Sequence, residues 1–256
     1  MRYDFRPVAE CDMCGGQSFR MLGMRLSASQ GLNPRAAQGI AVPVKQCRDC
    51  SLIFADPQPV PDDLSDHYGV PPESYWTPAA FNWSPDYFSR EIETAQRLMG
   101  FRPGMTALDI GAGLGKAMRS LAVAGFDTWG IEPEAAFRDR AISGMGIDPD
   151  RLRLATVESA EFAPESFDFI AFGAVLEHVY RPSQAIDRAM RWLRPGGIIQ
   201  AEVPSSRWLV ARLSTSTSGF AGQITSRISA RCTCRSTSMS SGWSRLADTR
   251  WPTMSS

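Results

Sequence analysis

Leu108-Asp109-Ile110-Gly111-Ala112-Gly113-Leu114-Gly115 is the stretch on which the fold turns. A short apolar run, 106–110, reads as a strand that ends at the glycines. A helix over 115–124 opens from them. Such a loop lets a ligand approach the backbone closely and sit near the helix N-terminus. The spacing is GxGxG rather than the GxGxxG of dinucleotide sites. Asp109 stands at the strand end just before the loop. A carboxylate there is unsuited to a pyrophosphate and well suited to an ammonium or sulfonium group. Together these two features disfavour a dehydrogenase.

Glu132 ends the next strand, 21 residues after Gly111. An acidic side chain at that place accepts hydrogen bonds from ribose hydroxyls. Ribose, positive charge and no phosphate point to S-adenosylmethionine as the ligand.

Outward from the loop, short apolar runs alternate with amphipathic ones. Strands are predicted at 106–110, 127–132, 152–157, 167–172 and 197–203, and helices at 115–124, 134–143 and 183–193. Gly125, Gly144 and Pro195-Gly196-Gly197 act as stop signals. The alternation implies an α/β, Rossmann-like parallel sheet covered on both faces. Upstream, Ser84-Pro85 is expected to cap and open a helix with Phe88, Ile92, Ala95 and Met99 on one face, ended by Gly100. Residues 57–85 are rich in Pro and aromatics, including Tyr68, Tyr75, Trp76, Phe81 and Trp83. That composition suits an ordered connector, either a lid over the site or a satellite core.

Four of the six cysteines form two close pairs, Cys11-x2-Cys14 and Cys47-x2-Cys50. Two such knuckles supply four soft ligands to a tetrahedral zinc ion, with sulfurs about 2.3 Å from the metal. A cytosolic disulfide pair is the rival reading, and thioredoxin-like chemistry is weaker because neither pair opens a helix after a strand. Four thiolates close the metal's shell, so the ion is expected to be structural. Cys232 and Cys234 lack further ligands and make a poor metal site.

The chain has 256 residues with 27 basic and 27 acidic side chains, hence no formal net charge. That does not favour broad electrostatic capture of nucleic acid or acidic membranes. No apolar run approaches the roughly 18 residues of a membrane span, and residues 1–7 hold no signal-peptide core. A cytoplasmic protein of unknown oligomeric state, with no membrane partner, is expected. Residues 214–256 change character: 19 of 43 are Ser or Thr, with five Arg and one acidic residue. A disordered tail and an out-of-frame stretch both account for that composition. The organisation read from the sequence is a zinc module at 1–56, a connector and helix at 57–100, a cofactor-binding core at 101–213, and the Ser/Thr-rich tail at 214–256.

Further segments follow the loop in order: Phe167-Asp168-Phe169-Ile170, then Val175-Leu176-Glu177-His178-Val179, then Leu193-Arg194-Pro195-Gly196-Gly197. With these, 101–205 resembles class I S-adenosylmethionine-dependent methyltransferases. The cysteine pairs, Ser51-Leu52-Ile53-Phe54, Pro57 and Tyr68 are similar to the zinc-binding module of a bacterial subgroup. That subgroup acts on sugars, surface glycans and secondary metabolites. The resemblance implies that Asp109, Gly111, Ala112 and Gly113 line the methionine end of the cofactor. Glu132 would hold the ribose, Ile131 and Pro133 flank the adenosine, and Val157 and Glu158 lie by the adenine. Phe172 and Gly173 would floor the sulfonium, with Tyr75 as a further cofactor contact. The family's two last strands, an antiparallel hairpin, are not found after Pro204, which would leave a sheet edge bare.

Methyl transfer leaves the protein to position a nucleophile and remove its proton. Of the two histidines, His67 reads as a surface residue of the connector. His178 beside Glu177 suits a general base near the methyl group, although the pair could instead order the loop. The leading expectation is O-methylation of a small molecule or glycan. An RNA methyltransferase and an inactive relic with a damaged C-terminus are the alternatives.

Overall fold

The computed structural model describes residues 3–27, 40–62, 71–204 and 225–231. Its main body is a six-stranded sheet. The members are β6 (Thr106–Ile110), β7 (Asp127–Glu132), β8 (Leu152–Leu154), β9 (Phe167–Gly173), β10 (Leu193–Pro204) and β11 (Thr225–Arg231). Their order across the sheet is β11-β10-β9-β6-β7-β8. The first five in the chain are parallel, with Leu108 level with Trp129 on one side and Ile170 on the other. The strand order reverses between β6 and β9, which opens a crevice at their carboxyl ends. This is the Rossmann-like sheet expected from the alternation.

Both faces are covered. Helix α5 (Pro182–Trp192) buries Ala185, Ala189 and Trp192 against Leu108, Ile110, Ile131, Ile170 and Phe172. On the other face, α2 (Ser89–Met99) lays Ile92 and Ala95 beside Leu121 of α3 (Lys116–Val123), over Ala107, Phe169 and Ile198. Each fully buried Leu, Ile or Phe contributes roughly 1.5–3 kcal/mol. At the amino ends of the strands, Asp168 Oδ2 accepts from the Thr106 N–H at 2.8 Å and from Arg194 at 2.7 Å, which pins β6, β9 and β10 together.

Several boundaries differ from expectation, and β10 begins at Leu193 instead of 197, running through Pro195-Gly196-Gly197. Helix α2 starts at Ser89, because Ser84–Tyr87 form a turn in which the Tyr87 N–H donates to Ser84 O, and Phe88 takes a left-handed conformation. Helix α4 (Ala135–Met145) runs through Gly144 and ends at Gly146, whose φ of 68° makes the turn. Strand β8 stops at Leu154, and Thr156–Ser159 close into a turn held by their own hydroxyls. The last difference lies in the tail: β11 pairs antiparallel with β10, from Ile198–Arg231 to Pro204–Thr225, and covers that edge. Its Ser-rich sequence has no strand-like alternation, and the pairing is made by backbone groups that any residue carries. The rest of 214–256, with Cys232 and Cys234, lies outside the described residues.

The N-terminal module is antiparallel: β2 (Phe19–Ser27), β3 (Ile40–Cys47) and β4 (Ile53–Ala55) form one sheet. Strand β1 (Tyr3–Arg6) pairs with β5 (Gln58–Pro61), so the module's ladders extend past residue 56. Asp56 closes it, accepting from Lys45 and from the Val8 N–H. Burial opposes its ionisation, and those two donors more than compensate, leaving its acidity above the ordinary carboxylate level. The connector contributes α1 (Pro72–Tyr75) and a 3-10 turn at Pro78–Phe81.

Candidate active site and cysteine centre

The glycine loop folds back over the end of β7. The Gly111 and Ala112 N–H groups both donate to Ile131 O, at 2.9 and 3.0 Å. The Gly113 N–H donates to Glu132 Oε2 at 2.7 Å, and the Glu134 N–H donates to Oε1 at 3.0 Å. Glu132 is thus fixed by one amide of the loop and one at the entry to α4, and each oxygen keeps a lone pair for a further donor. Gly111 has φ 71°, and a Cβ there would meet Val175 Cγ2 at 2.4 Å. The loop therefore touches the segment that follows β9. At Gly115 a Cβ would lie 2.9 Å from that of Ala141, so α3 starts in close contact with α4.

Asp109 is 3% exposed and Glu132 6%. Burial, with the Glu132 charge added, pushes the Asp109 carboxyl up to about 7. Burial likewise pushes Glu132 up to about 7, against the two amides that favour its charged form. Two buried carboxyls whose charges repel are relieved by a cation bound beside them.

The segment 174–181 leaves the end of β9. Ala174 adopts φ 55°, and its N–H donates to Glu202 O at 2.8 Å. The His178 N–H donates to Val175 O at 2.8 Å, closing a turn. His178 Nε2 lies 3.8 Å from Glu177 Oε1, with side chains 33% and 25% exposed. Burial raises the Glu177 proton affinity, and the Glu202 charge adds to it. Tyr75 packs edge-on against Phe137 of α4, ring centroids 5.6 Å apart. Its hydroxyl is pushed up by burial and then by the Glu177 charge, which puts the connector within electrostatic reach of this segment.

The predicted site residues fall into two groups. Asp109, Gly111, Ala112, Gly113, Glu132 and Pro133 gather at one rim, with the Glu177–His178 segment against the loop through Val175. Val157 and Phe172 are packed into the core, at 4% and 0% exposure, so their side chains face other side chains. Glu158 and Gly173 are the exposed residues beside them. His67 and Tyr68 lie outside the described residues.

Two residues were not foreseen. Tyr87 is 42% exposed, and partial burial of its hydroxyl, with the charges of Asp109, Glu202 and Glu91, pushes that hydroxyl up to about 12. Lys116 Nζ sits 4.4 Å from the centre of the Tyr87 ring and donates to Ala80 O at 3.3 Å. Lys116 had a signal, being one of only two lysines and directly following the loop. Tyr87 had none.

In the module, the sulfurs of Cys11, Cys14, Cys47 and Cys50 all lie within 4.8 Å of one another. Cys11–Cys50 and Cys14–Cys47 are 3.5 and 3.6 Å apart. Tetrahedral thiolates at the usual zinc distance stand about 3.8 Å apart, so the set is close to that geometry. The knuckles match: the Gly15 N–H donates to Cys11 O and the Ser51 N–H to Cys47 O, with φ 71° and 67°. The Cys50 N–H, aided against burial by that of Asp49, draws the Cys47 thiol down to about 7.

Residues 108–201 match the family model described as "Methyltransferase domain". The ubiquinone biosynthesis O-methyltransferase of Hahella chejuensis is 35% identical over 97 residues, covering 37% of this chain and 41% of that protein. Its counterpart in Photobacterium profundum is 32% identical over 98 residues, with 37% and 41% covered. The phosphoethanolamine N-methyltransferase 2 of Caenorhabditis elegans is 26% identical over 118 residues, covering 44% and 27%. The glycine loop, the sheet and this match make residues 108–201 similar to a methyltransferase domain. The chain spans less than half the length of these relatives. Among the described residues no helix is long and apolar enough to cross a membrane.

Proposed function

We propose that the protein transfers a methyl group from S-adenosylmethionine to an oxygen of a small-molecule or sugar acceptor. The observation that carries this reading is the pair Asp109 and Glu132, two buried carboxyls of raised proton affinity flanking a glycine loop. That pair repels phosphate and attracts a cationic nucleoside. When bound, S-adenosylmethionine supplies a methyl carbon already activated for in-line displacement. Asp109 and the loop amides receive the methionine end, and Glu132 receives the ribose hydroxyls. Pro133 flanks the adenosine, and the 156–159 turn, with Val157 and Glu158, borders the adenine. Tyr75 closes the pocket from the connector. His178 takes the proton of the acceptor hydroxyl, and Glu177 stabilises the imidazolium that forms.

The four cysteines hold a structural zinc ion in this reading, and reduced thiols fit a cytoplasmic setting. Calorimetry with S-adenosylhomocysteine tests the assignment. Micromolar binding that Asp109→Ala abolishes supports it, and binding unaffected by that substitution refutes it.

A further inference from the structure

Helix α5 begins five residues past Glu177, and its own N-cap residue, Arg181, makes no side-chain cap. The cap comes from the cysteine module instead. Asp12, between Cys11 and Cys14, accepts from the Ser183 N–H through Oδ2 at 2.7 Å. Its other oxygen stands 3.5 Å from Arg181 Nε. The Arg181 side chain is 62% exposed, so that pair adds little. The amide bond matters more: a carboxylate at a helix N-terminus satisfies an orphan N–H and meets the positive end of the helix dipole. Asp12 itself is only 16% exposed.

Two further bonds tie the same stretch to the module. Gln58 donates to Tyr180 O at 3.3 Å, and the Tyr180 hydroxyl donates to Pro59 O at 3.2 Å. At its other end, 174–181 is held by Glu202 O and by Val175 against Gly111. Glu177 and His178 thus hang between the sheet on one side and the cysteine module on the other.

We propose that Asp12 is a positioning residue: by capping α5 from the first cysteine knuckle, it sets the Glu177–His178 segment against the glycine loop. The cysteine module then serves the site as well as the fold. This rests on the reading of that segment as part of the active site.

The test uses full-length Asp12→Ala, Asp12→Asn and Tyr180→Phe. Amide hydrogen exchange of 174–185, the His178 ring resonances, zinc content and S-adenosylhomocysteine affinity are measured. Asp12→Ala is expected to speed exchange in 174–185 about tenfold and to move the His178 signals. Zinc content and ligand affinity stay as in the parent protein. Asp12→Asn keeps an oxygen acceptor for the Ser183 N–H and restores most of the protection. Unchanged exchange in 174–185, or acceleration spread equally over 106–110 and 127–132, overturns the proposal. If Asp12→Ala loses zinc, Tyr180→Phe decides, since it removes no atom of the cysteine knuckles: faster exchange in 174–185 supports the clamp, and unchanged exchange overturns it. Failure of the parent protein to bind S-adenosylhomocysteine would sink the cofactor reading, while the exchange data would still judge the clamp.

Discussion

The Gly113 amide reaches Glu132 Oε2 across 2.7 Å, so the glycine loop is tied to the residue that ends the neighbouring strand. One carboxylate both shapes the loop and offers its spare lone pairs to the ligand. Glu132→Ala removes both roles and leaves the Gly113 and Glu134 amides unpaired. S-adenosylhomocysteine affinity should fall about tenfold or more, the loss of roughly one to two charge-assisted hydrogen bonds. Calorimetry checks this, and undiminished affinity would show that the ribose is held elsewhere.

Asp109 and Glu132 set a pH dependence of definite sign. Both carboxyls hold their protons to about 7 in the folded chain, against ordinary values of 3.8 and 4.5. Between those limits the folded state binds more protons than the unfolded one, so this stability is present at low pH and lost as pH rises through 7. Asp109→Asn should therefore stabilise the ligand-free protein more at pH 8 than at pH 5, the two differing by on the order of 2 kcal/mol. A cationic ligand favours the charged carboxyls, so S-adenosylmethionine should bind more tightly at pH 8 than at pH 6. Thermal melts and calorimetry at the two pH values read both effects. Equal stabilisation by Asp109→Asn at both would contradict the assignment.

Gly111 carries two demands at once, a positive φ and the approach of Val175. Gly111→Ala should destabilise by about 1–3 kcal/mol, from backbone strain plus the clash. Adding Val175→Ala relieves the clash and leaves the strain, so the double variant should recover part of the loss. A double-mutant cycle in urea measures the coupling. Additive effects would mean that loop and segment do not touch.

The parallel core was legible because its signals are local. Strands 106–110 and 127–132 were found to the residue, since each is an apolar run ended by a loop or an acid. The carboxyls of the rim were legible through their place at strand ends, and the cysteine pairs through their spacing. What escaped depended on contacts distant in sequence. Asp12 caps a helix 171 positions away. Tyr87 meets Lys116 from a turn at 84–87 where a helix was expected. Strand β11 has no side-chain pattern to betray it.

Cys47→Ser should reduce zinc content and lower the melting temperature by several degrees or more, because a structural metal site contributes folding energy directly. The Cys47 thiol is buried, and two backbone amides of its own knuckle favour its thiolate. A serine oxygen there is a harder and more basic donor. Metal analysis of parent and variant after the same purification checks this. Equal zinc in both would remove the four-cysteine site from consideration.

His178 gives the sharpest separation between chemistry and binding. Its ring lies 3.8 Å from Glu177 and is one-third exposed, open to an acceptor yet close to a carboxylate. Neither residue belongs to the glycine loop or to the ribose carboxylate. Removing the imidazole should therefore spare the cofactor. His178→Ala is expected to lower turnover by about 10²–10⁴ and to leave S-adenosylhomocysteine affinity within about twofold. Glu177→Gln should give a smaller loss, because it weakens the stabilisation of the imidazolium without removing the base. Both are read once an acceptor has been found by screening hydroxyl-bearing small molecules and sugars with labelled S-adenosylmethionine. Should His178→Ala lose turnover and affinity in equal measure, the histidine would be ordering the segment instead of moving a proton.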